Sequence, residues 1–239
     1  MTLNARAQEL GERMFTRGHV TSLVCQEVHA EEWKVFSESW HRLPVDAFMA
    51  DGEKYRLRRH TVFNVNSDSG IEQLPPRPYV QTLDINHLNG DVRRSYDGIE
   101  RPVTESRFFR SLLLGLSALL DELQDGPCTW HHQCFQNRIV TSGSEVGNPT
   151  PEGVHRDGVD YVLTMIVDRH NITGGCSGIY DASTRKPLHS ETLTEPGSFL
   201  LADDERTRHD ATSVFPLDPT LPAHRDVFID VITRGTGPR

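Results

Sequence analysis

A chain of 239 residues, 36% of them hydrophobic, is long enough to bury a substantial core, and one domain over 1–239 is the natural reading. A net charge of −9, with Lys and Arg interspersed among acids, argues against a nucleic-acid surface, and no run of about 18 apolar residues suggests a membrane span. Met1 to Thr16 lacks the apolar stretch of a secretory signal, and the four cysteines, Cys25, Cys128, Cys134 and Cys176, show no C-x-x-C spacing; reduced thiols and a cytoplasmic location are expected.

Residues 3–15 are predicted to form a helix with Leu3, Ala7, Leu10 and Met14 on one face. Ala30 to Trp40 reads as a second helix, with Trp33, Phe36 and Trp40 on one side. Strands are expected at 55–60 and 61–65, and, after the breakers Pro75, Pro76 and Pro78, at 79–85. Glu105 to Leu123 carries a broad apolar stripe from Phe108 to Leu123 and is the strongest helical pattern. Beyond it the pattern turns to strands, at 130–141, 159–168, 176–181, 197–202, 210–215 and 226–234, with Thr173-Gly174-Gly175 as a hairpin turn. Helices followed by many short strands point to an α+β fold whose strands close into a jelly roll. Residues 1–127 would help shape a substrate pocket and 128–239 would form the barrel core.

His155-Arg156-Asp157 stands out for its chemistry. Two imidazoles and a carboxylate can cap one face of Fe(II), leaving the opposite positions to a co-substrate and O2. The triplet needs a second histidine several strands later, and His209 follows Asp157 by 52 residues, enough for about four strands with their turns. Rival triplets lack that context. Only thirteen residues follow Asp226 in His224-Arg225-Asp226, His189-Ser190-Glu191 lies too near His209, and His29-Ala30-Glu31 falls in a helical stretch. The adjacent His131 and His132 would point to opposite faces of a strand, which argues against a second metal site. Arg225, at the start of the last predicted strand, could grip a dicarboxylate through a two-pronged hydrogen-bonded pair.

Four segments carry a resemblance: Pro151-Glu152-Gly153-Val154-His155-Arg156-Asp157-Gly158, Arg169-His170-Asn171-Ile172-Thr173-Gly174-Gly175, His209-Asp210-Ala211-Thr212-Ser213-Val214, and Arg225-Asp226. An upstream element, Gln81 through Asn86 to Gly90 and Arg93-Arg94, also fits. Through them the chain resembles the small bacterial Fe(II)/2-oxoglutarate-dependent dioxygenases that hydroxylate free L-amino acids, the L-isoleucine 4-hydroxylase-like family, densely from about 128 to 234. The resemblance implies a double-stranded β-helix, a cupin-like jelly-roll barrel backed by helices. It implies iron ligation by His155, Asp157 and His209, and binding of the 2-oxoglutarate C5-carboxylate by Arg225. The implied reaction consumes 2-oxoglutarate and O2, releases succinate and CO2, and oxidises a substrate C–H, with ascorbate helpful in vitro. Related halogenases replace the carboxylate ligand with a small residue; Asp157 favours hydroxylation.

A free amino acid needs a cation for its carboxylate and an acceptor for its ammonium group. Arg138, on the predicted strand 130–141, and Glu152, three residues before His155, are candidates, with Gln81, Asn86, Tyr55 and Arg58 from the N-terminal half. Three alternatives remain open at this point. The same iron site could hydroxylate, desaturate or cyclise another small molecule of a natural-product pathway. A non-catalytic jelly-roll binding protein would use the histidines structurally. A zinc hydrolase would use the same ligands but leave Arg225 without a purpose.

Overall fold

The computed structural model of the chain describes residues 2–24, 29–49, 52, 54–83, 85, 88, 90–143 and 145–237. Helix α1 (Leu3–Arg13) leads into strand β1 (Phe15–His19); α2 (Ala30–Glu38) continues as a 3-10 turn at Ser39–Arg42. Strands β2 (Arg56–Asn66) and β3 (Gly70–Gln73) precede the helices α3 (Arg101–Thr104) and α4 (Arg107–Asp121). The remaining strands are β4 (Thr129–Thr141), β5 (Tyr161–His170), β6 (Ile172–Gly174), β7 (Ser177–Asp181), β8 (Pro187–Glu191), β9 (Ser198–Asp203), β10 (Thr207–Ala211), β11 (Val214–Pro216) and β12 (Ala223–Arg234).

A seven-stranded antiparallel sheet in the order β1-β9-β5-β12-β4-β2-β3 is accompanied by a three-stranded sheet, β10-β7-β8, and a β11-β6 pair. Helices back the large sheet, giving the expected α+β jelly roll. Strand alternation explains how one sheet serves both a core and a site. Cys134, Leu163, Met165, Val167, Phe199, Leu201, Phe228 and Ile232 pack with the apolar stripe of α4 and with Phe36 and Trp40. Their out-of-phase neighbours Phe135, Val162, Thr164, Leu200, Ala202, Val227, Ile229 and Val231 line a cavity on the other face. Phe36 holds the helical side together, with ring centroids 5.0 Å from Phe108 and 5.8 Å from Phe228.

The helix-facing layer also buries a polar chain. His132 lies between Ser117 Oγ (3.0 Å) and Asp230 Oδ2 (2.6 Å), with all three side chains shut from solvent. Neighbouring His131 instead meets Asn64 Oδ1 at 3.0 Å, so the two histidines face apart as strand geometry requires.

The structure departs from the predicted elements in several places. Residues 56–66 form one uninterrupted strand, because pairing with the thirteen-residue β4 runs along its whole length. Of the expected strand at 79–85, the described residues show only a bridge between Tyr79 and Arg94, and Asp91 N–H donates to Gln81 O at 2.7 Å. The segment at 210–215 breaks into β10 and β11. Ile172–Gly174 is a strand paired with β11 instead of a turn. Strands β1, β3, β6 and β8 carry no clear alternation in the sequence and are held by their partners. Among the described residues no helix is long and apolar enough to cross a membrane.

Candidate active site

His155 and His209 face each other through a single antiparallel bridge: each backbone N–H donates to the other's carbonyl, at 3.0 and 2.9 Å. His155 thus precedes β5, on a turn, whereas His209 is the third residue of β10. Five strands, β5 to β9, separate them. The two rings lie 4.5 Å apart. Asp157 completes the group, with Oδ2 3.4 Å from His209 Nε2 and Oδ1 4.0 Å from His155 Nε2. One ligand atom from each of the three residues lies within 4.8 Å of the other two.

Surrounding groups orient this trio. His155 Nδ1 sits 2.9 Å from Gly153 O, so Nδ1 carries the proton and Nε2 presents its lone pair inward. Asp157 Oδ1 accepts from Gln81 Nε2 at 3.1 Å, and Gln81 Oε1 accepts from Arg94 Nη2 at 3.0 Å. Fully buried Asp204 accepts the backbone N–H groups of Asp157 (3.1 Å), Gly158 (2.8 Å) and Val159 (3.1 Å), and its Oδ1 is 3.7 Å from His209 Nδ1. Gly158 has φ +78°, and a Cβ there would meet Ile85 Cδ1 at 2.9 Å, so the turn after Asp157 needs glycine.

Charges are matched within the trio. Burial opposes ionisation of Asp157, but hydrogen bonding and attraction from His209, with help from His155 and Gln81, hold its pKa at about 2. Burial likewise disfavours charged His209, yet Asp157, Asp204 and Glu152 lift it to about 9. A divalent cation substitutes for that proton: it needs an ionised carboxylate and neutral imidazoles, which is this donor set. His155, Asp157 and His209 therefore fit an iron ion.

Arg225 points into the cavity from β12 and is 2% exposed. Among the described residues its Nη2 has only a long contact with Ser177 Oγ, 3.5 Å, and its buried Nε has no partner. Burial, reinforced by the charge of Arg169, pulls its pKa down to about 10. Gly175, at φ +67°, permits this crowding: a Cβ would lie 3.0 Å from both Arg225 Cδ and Arg169 Nη1. A dry guanidinium with no carboxylate partner among the described residues is a ready partner for a bound dicarboxylate.

The other expected contacts divide. Arg58, Gln81 and Glu152 line the cavity, with Glu152 Oε1 3.5 Å from His155 Nε2. Arg58 donates to Asn137 Oδ1 at 2.7 Å and lies over the Phe135 ring. Arg138 does not line the cavity. Asn137 and Ile139 do, and a one-residue step on a strand reverses the face, so Arg138 points outward and grips Asp226 at 2.7 and 2.6 Å. Tyr55 packs beside Ile139, Ile172, Val214 and Ala223 and is likewise absent from the lining. Asn86 lies outside the described residues.

Sequence reasoning missed Arg94 and Asp204 as parts of this site. Arg94 is 2% exposed and lines the cavity; its hint was its place with Arg93 in the upstream element. Asp204 acts across 47 residues on backbone N–H groups, for which a sequence offers no signal. The triplet at 224 also needs correction. It is completed from upstream, since Asp168, His224 and Asp226 form a second group with ligand atoms within 4.8 Å. That group is outside the cavity and already holds the Arg138 guanidinium, with Nη2 3.4 Å from His224 Nε2.

Comparison with known proteins agrees with this geometry. Residues 37–230 match the family model described as 2OG-Fe dioxygenase. A 3(1)-hydroxy-L-isoleucine 4-dioxygenase of Pantoea ananatis is 28% identical over 159 residues, 64% of this chain and 62% of that protein. The bifunctional enzyme flvA of Aspergillus flavus is 23% identical over 95% of this chain, which spans only 30% of the fungal protein's length. The crystal structure of a bsmA homolog from Methylobium petroleophilum superposes with a TM-score of 0.89 at 29% identity, covering 100% of this chain and 96% of that one. IDO from Bacillus thuringiensis shares the fold, with a TM-score of 0.78 at 14% identity over 98% of this chain and 96% of that one. The cavity, the facial His-Asp-His trio and the match over most of the chain lead to one conclusion: the chain belongs to the 2OG-Fe dioxygenase family, whose members use Fe(II), 2-oxoglutarate and O2.

Proposed function

We propose that the chain hydroxylates an aliphatic C–H of a free L-amino acid or close derivative, releasing succinate and CO2, with residues 1–239 acting as one catalytic domain. The observation that carries this reading is the cavity's charge pattern: the guanidinium groups of Arg56, Arg58, Arg94 and Arg225 in its lining and the Glu152 carboxylate beside His155, a complement to a zwitterion. The resemblance to an enzyme named for a hydroxylated isoleucine supports it. Free thiols at Cys128, Cys134 and Cys176 are consistent with a cytoplasmic enzyme.

His155, Asp157 and His209 would hold Fe(II), and Arg225 the distal carboxylate of 2-oxoglutarate. When bound, this pair with O2 supplies an oxidant able to break an aliphatic C–H bond while 2-oxoglutarate is decarboxylated. The chain's own contribution is positional. Gln81 and Asp204 hold the Asp157 carboxylate and its backbone in place, Glu152 accepts the substrate ammonium, and Phe135, Val162, Ile229 and Val231 give the aliphatic side chain a dry wall.

The test incubates purified protein with Fe(II), ascorbate and 2-oxoglutarate under air, with a panel of L-amino acids and N-substituted relatives. The expected result is a product one oxygen heavier, formed with stoichiometric succinate and lost in His155→Ala. Succinate without any oxidised panel member would overturn the amino-acid reading and turn the search to other small molecules.

A further inference from the structure

Two guanidinium groups facing the cavity lack a carboxylate partner among the described residues. Arg56 is satisfied by Asp46 at 2.8 Å, and Arg58 shares that acid at 3.9 Å while donating to Asn137. Arg225 and Arg94 have no such relief. Arg225 is matched to the co-substrate. Arg94 is equally buried, lies over the Tyr79 ring (4.7 Å) and leaves its Nε without a partner. Among the described residues its one polar side-chain contact is Gln81 Oε1, and the Gln81 amide is turned so that Nε2 reaches Asp157 Oδ1. Asp157 is the nearest acid along this chain of bonds, and iron would draw on its charge. Arg94 would then face the cavity as a buried cation in need of an anion, a costly state unless one arrives.

We propose that Arg94 binds the carboxylate of the substrate, and that Gln81 is a positioning residue linking that event to the iron ligand Asp157. The inference rests on the reading of the substrate as an amino acid or close derivative and adds which residue holds its carboxylate. An Arg is suited to the task, because its planar fork can donate to the substrate carboxylate while one Nη stays on Gln81. A carboxylate pulling on Arg94 shifts the Gln81 amide, and Gln81 is one of the groups that fix how Asp157 presents its oxygens. Substrate arrival is thereby felt at the metal without contact between the two.

The experiment titrates the anaerobic Fe(II)·2-oxoglutarate protein with L-amino acids and with their α-carboxamides, reading the visible absorption of the complex. Iron affinity is measured separately by competition with a chelator. The wild-type protein is expected to prefer an acid over its amide by on the order of 100-fold, and Arg94→Gln to lose that preference while keeping its affinity for 2-oxoglutarate. Arg94→Lys, which keeps the charge without the fork, should fall between them and stands in if Arg94→Gln does not fold. Gln81→Leu should keep the preference for the acid but weaken iron binding by roughly tenfold or more and form succinate in excess of product. An undiminished preference in Arg94→Gln would overturn the carboxylate assignment. Unchanged iron affinity and an unchanged succinate-to-product ratio in Gln81→Leu would overturn the link. Should no amino acid or amide perturb the wild-type absorption, the amino-acid reading fails on its own. Acetate and propionate then decide the subsite: a response lost in Arg94→Gln upholds it, and no response overturns it.

Discussion

Arg225→Met should move stability and co-substrate binding in opposite directions. In the ligand-free protein Arg225 is a buried cation pressed against Arg169, and its pKa falls from 12.5 to about 10. At roughly 1.4 kcal/mol per pH unit, the charge costs the fold up to about 3 kcal/mol. Replacing it with an apolar chain of similar length relieves part of that cost. For a chain of this size each kcal/mol is worth roughly 2–4 °C, so the melting temperature of the variant should rise by several degrees. Binding goes the other way. Losing one partner of a buried charge pair costs roughly 2–5 kcal/mol, or about 30-fold to several thousand-fold in affinity for 2-oxoglutarate. Thermal denaturation with and without 2-oxoglutarate, in the presence of Mn(II), reads both. Wild type at a hundred times its Kd should gain about 2.7 kcal/mol from the ligand, and the variant close to nothing. A variant less stable than wild type that still gained from 2-oxoglutarate would refute the assignment of Arg225.

His60 gives a pH dependence away from the proposed iron ligands. Burial, with Arg58, His131 and Arg94 nearby, lowers its pKa from 6.5 to about 3, and its ring stacks 4.4 Å from Phe135. Between these two values the unfolded chain takes up a proton that the fold refuses, so stability is full above pH 6.5 and falls with pH, by about 2 kcal/mol at pH 5. His60→Phe should flatten this slope in acid denaturation curves; an unchanged slope would remove His60 as its source. Arg138→Ala should leave turnover constants for substrate unaltered but lower stability by about 3–5 kcal/mol in urea titrations, because Asp226 would be buried without its cation; a raised KM would return Arg138 to the pocket. Asp204→Ala strands the backbone N–H groups of Asp157, Gly158 and Val159, so calorimetry should find iron affinity reduced by roughly 10–100-fold. Iron bound as tightly as in wild type would show that Asp204 serves the fold alone.

The elements legible in the sequence are those whose signal is local. The α4 stripe repeats every three to four residues and a long helix must bury it, so its span was readable to within two residues at each end. The long strands β4 and β12 alternate on a sheet with one face on helices and the other on a cavity. Strands β1, β3 and β8 instead take their order from neighbours, as edge strands of short or mixed composition.

The chemistry divides in the same way. His155, Asp157 and His209 could be named from the sequence because metal ligation demands particular donor types, and their spacing is set by the strands between them. Arg225 could be proposed because a cation at the start of a strand after His209 matched that scheme. Tertiary structure added the strand phase around the second His-x-Asp triplet: His224 and Asp226 are on the outer face of β12, and Arg225 between them is on the inner one. It decided that Arg138 is an outward ion pair and that Arg94, bridged to Tyr79, is an inward cation. Composition fixes how many charges a chain carries. Which of them remain unpaired in a dry cavity depends on strand phase and loop closure, and those are set by contacts far apart in sequence.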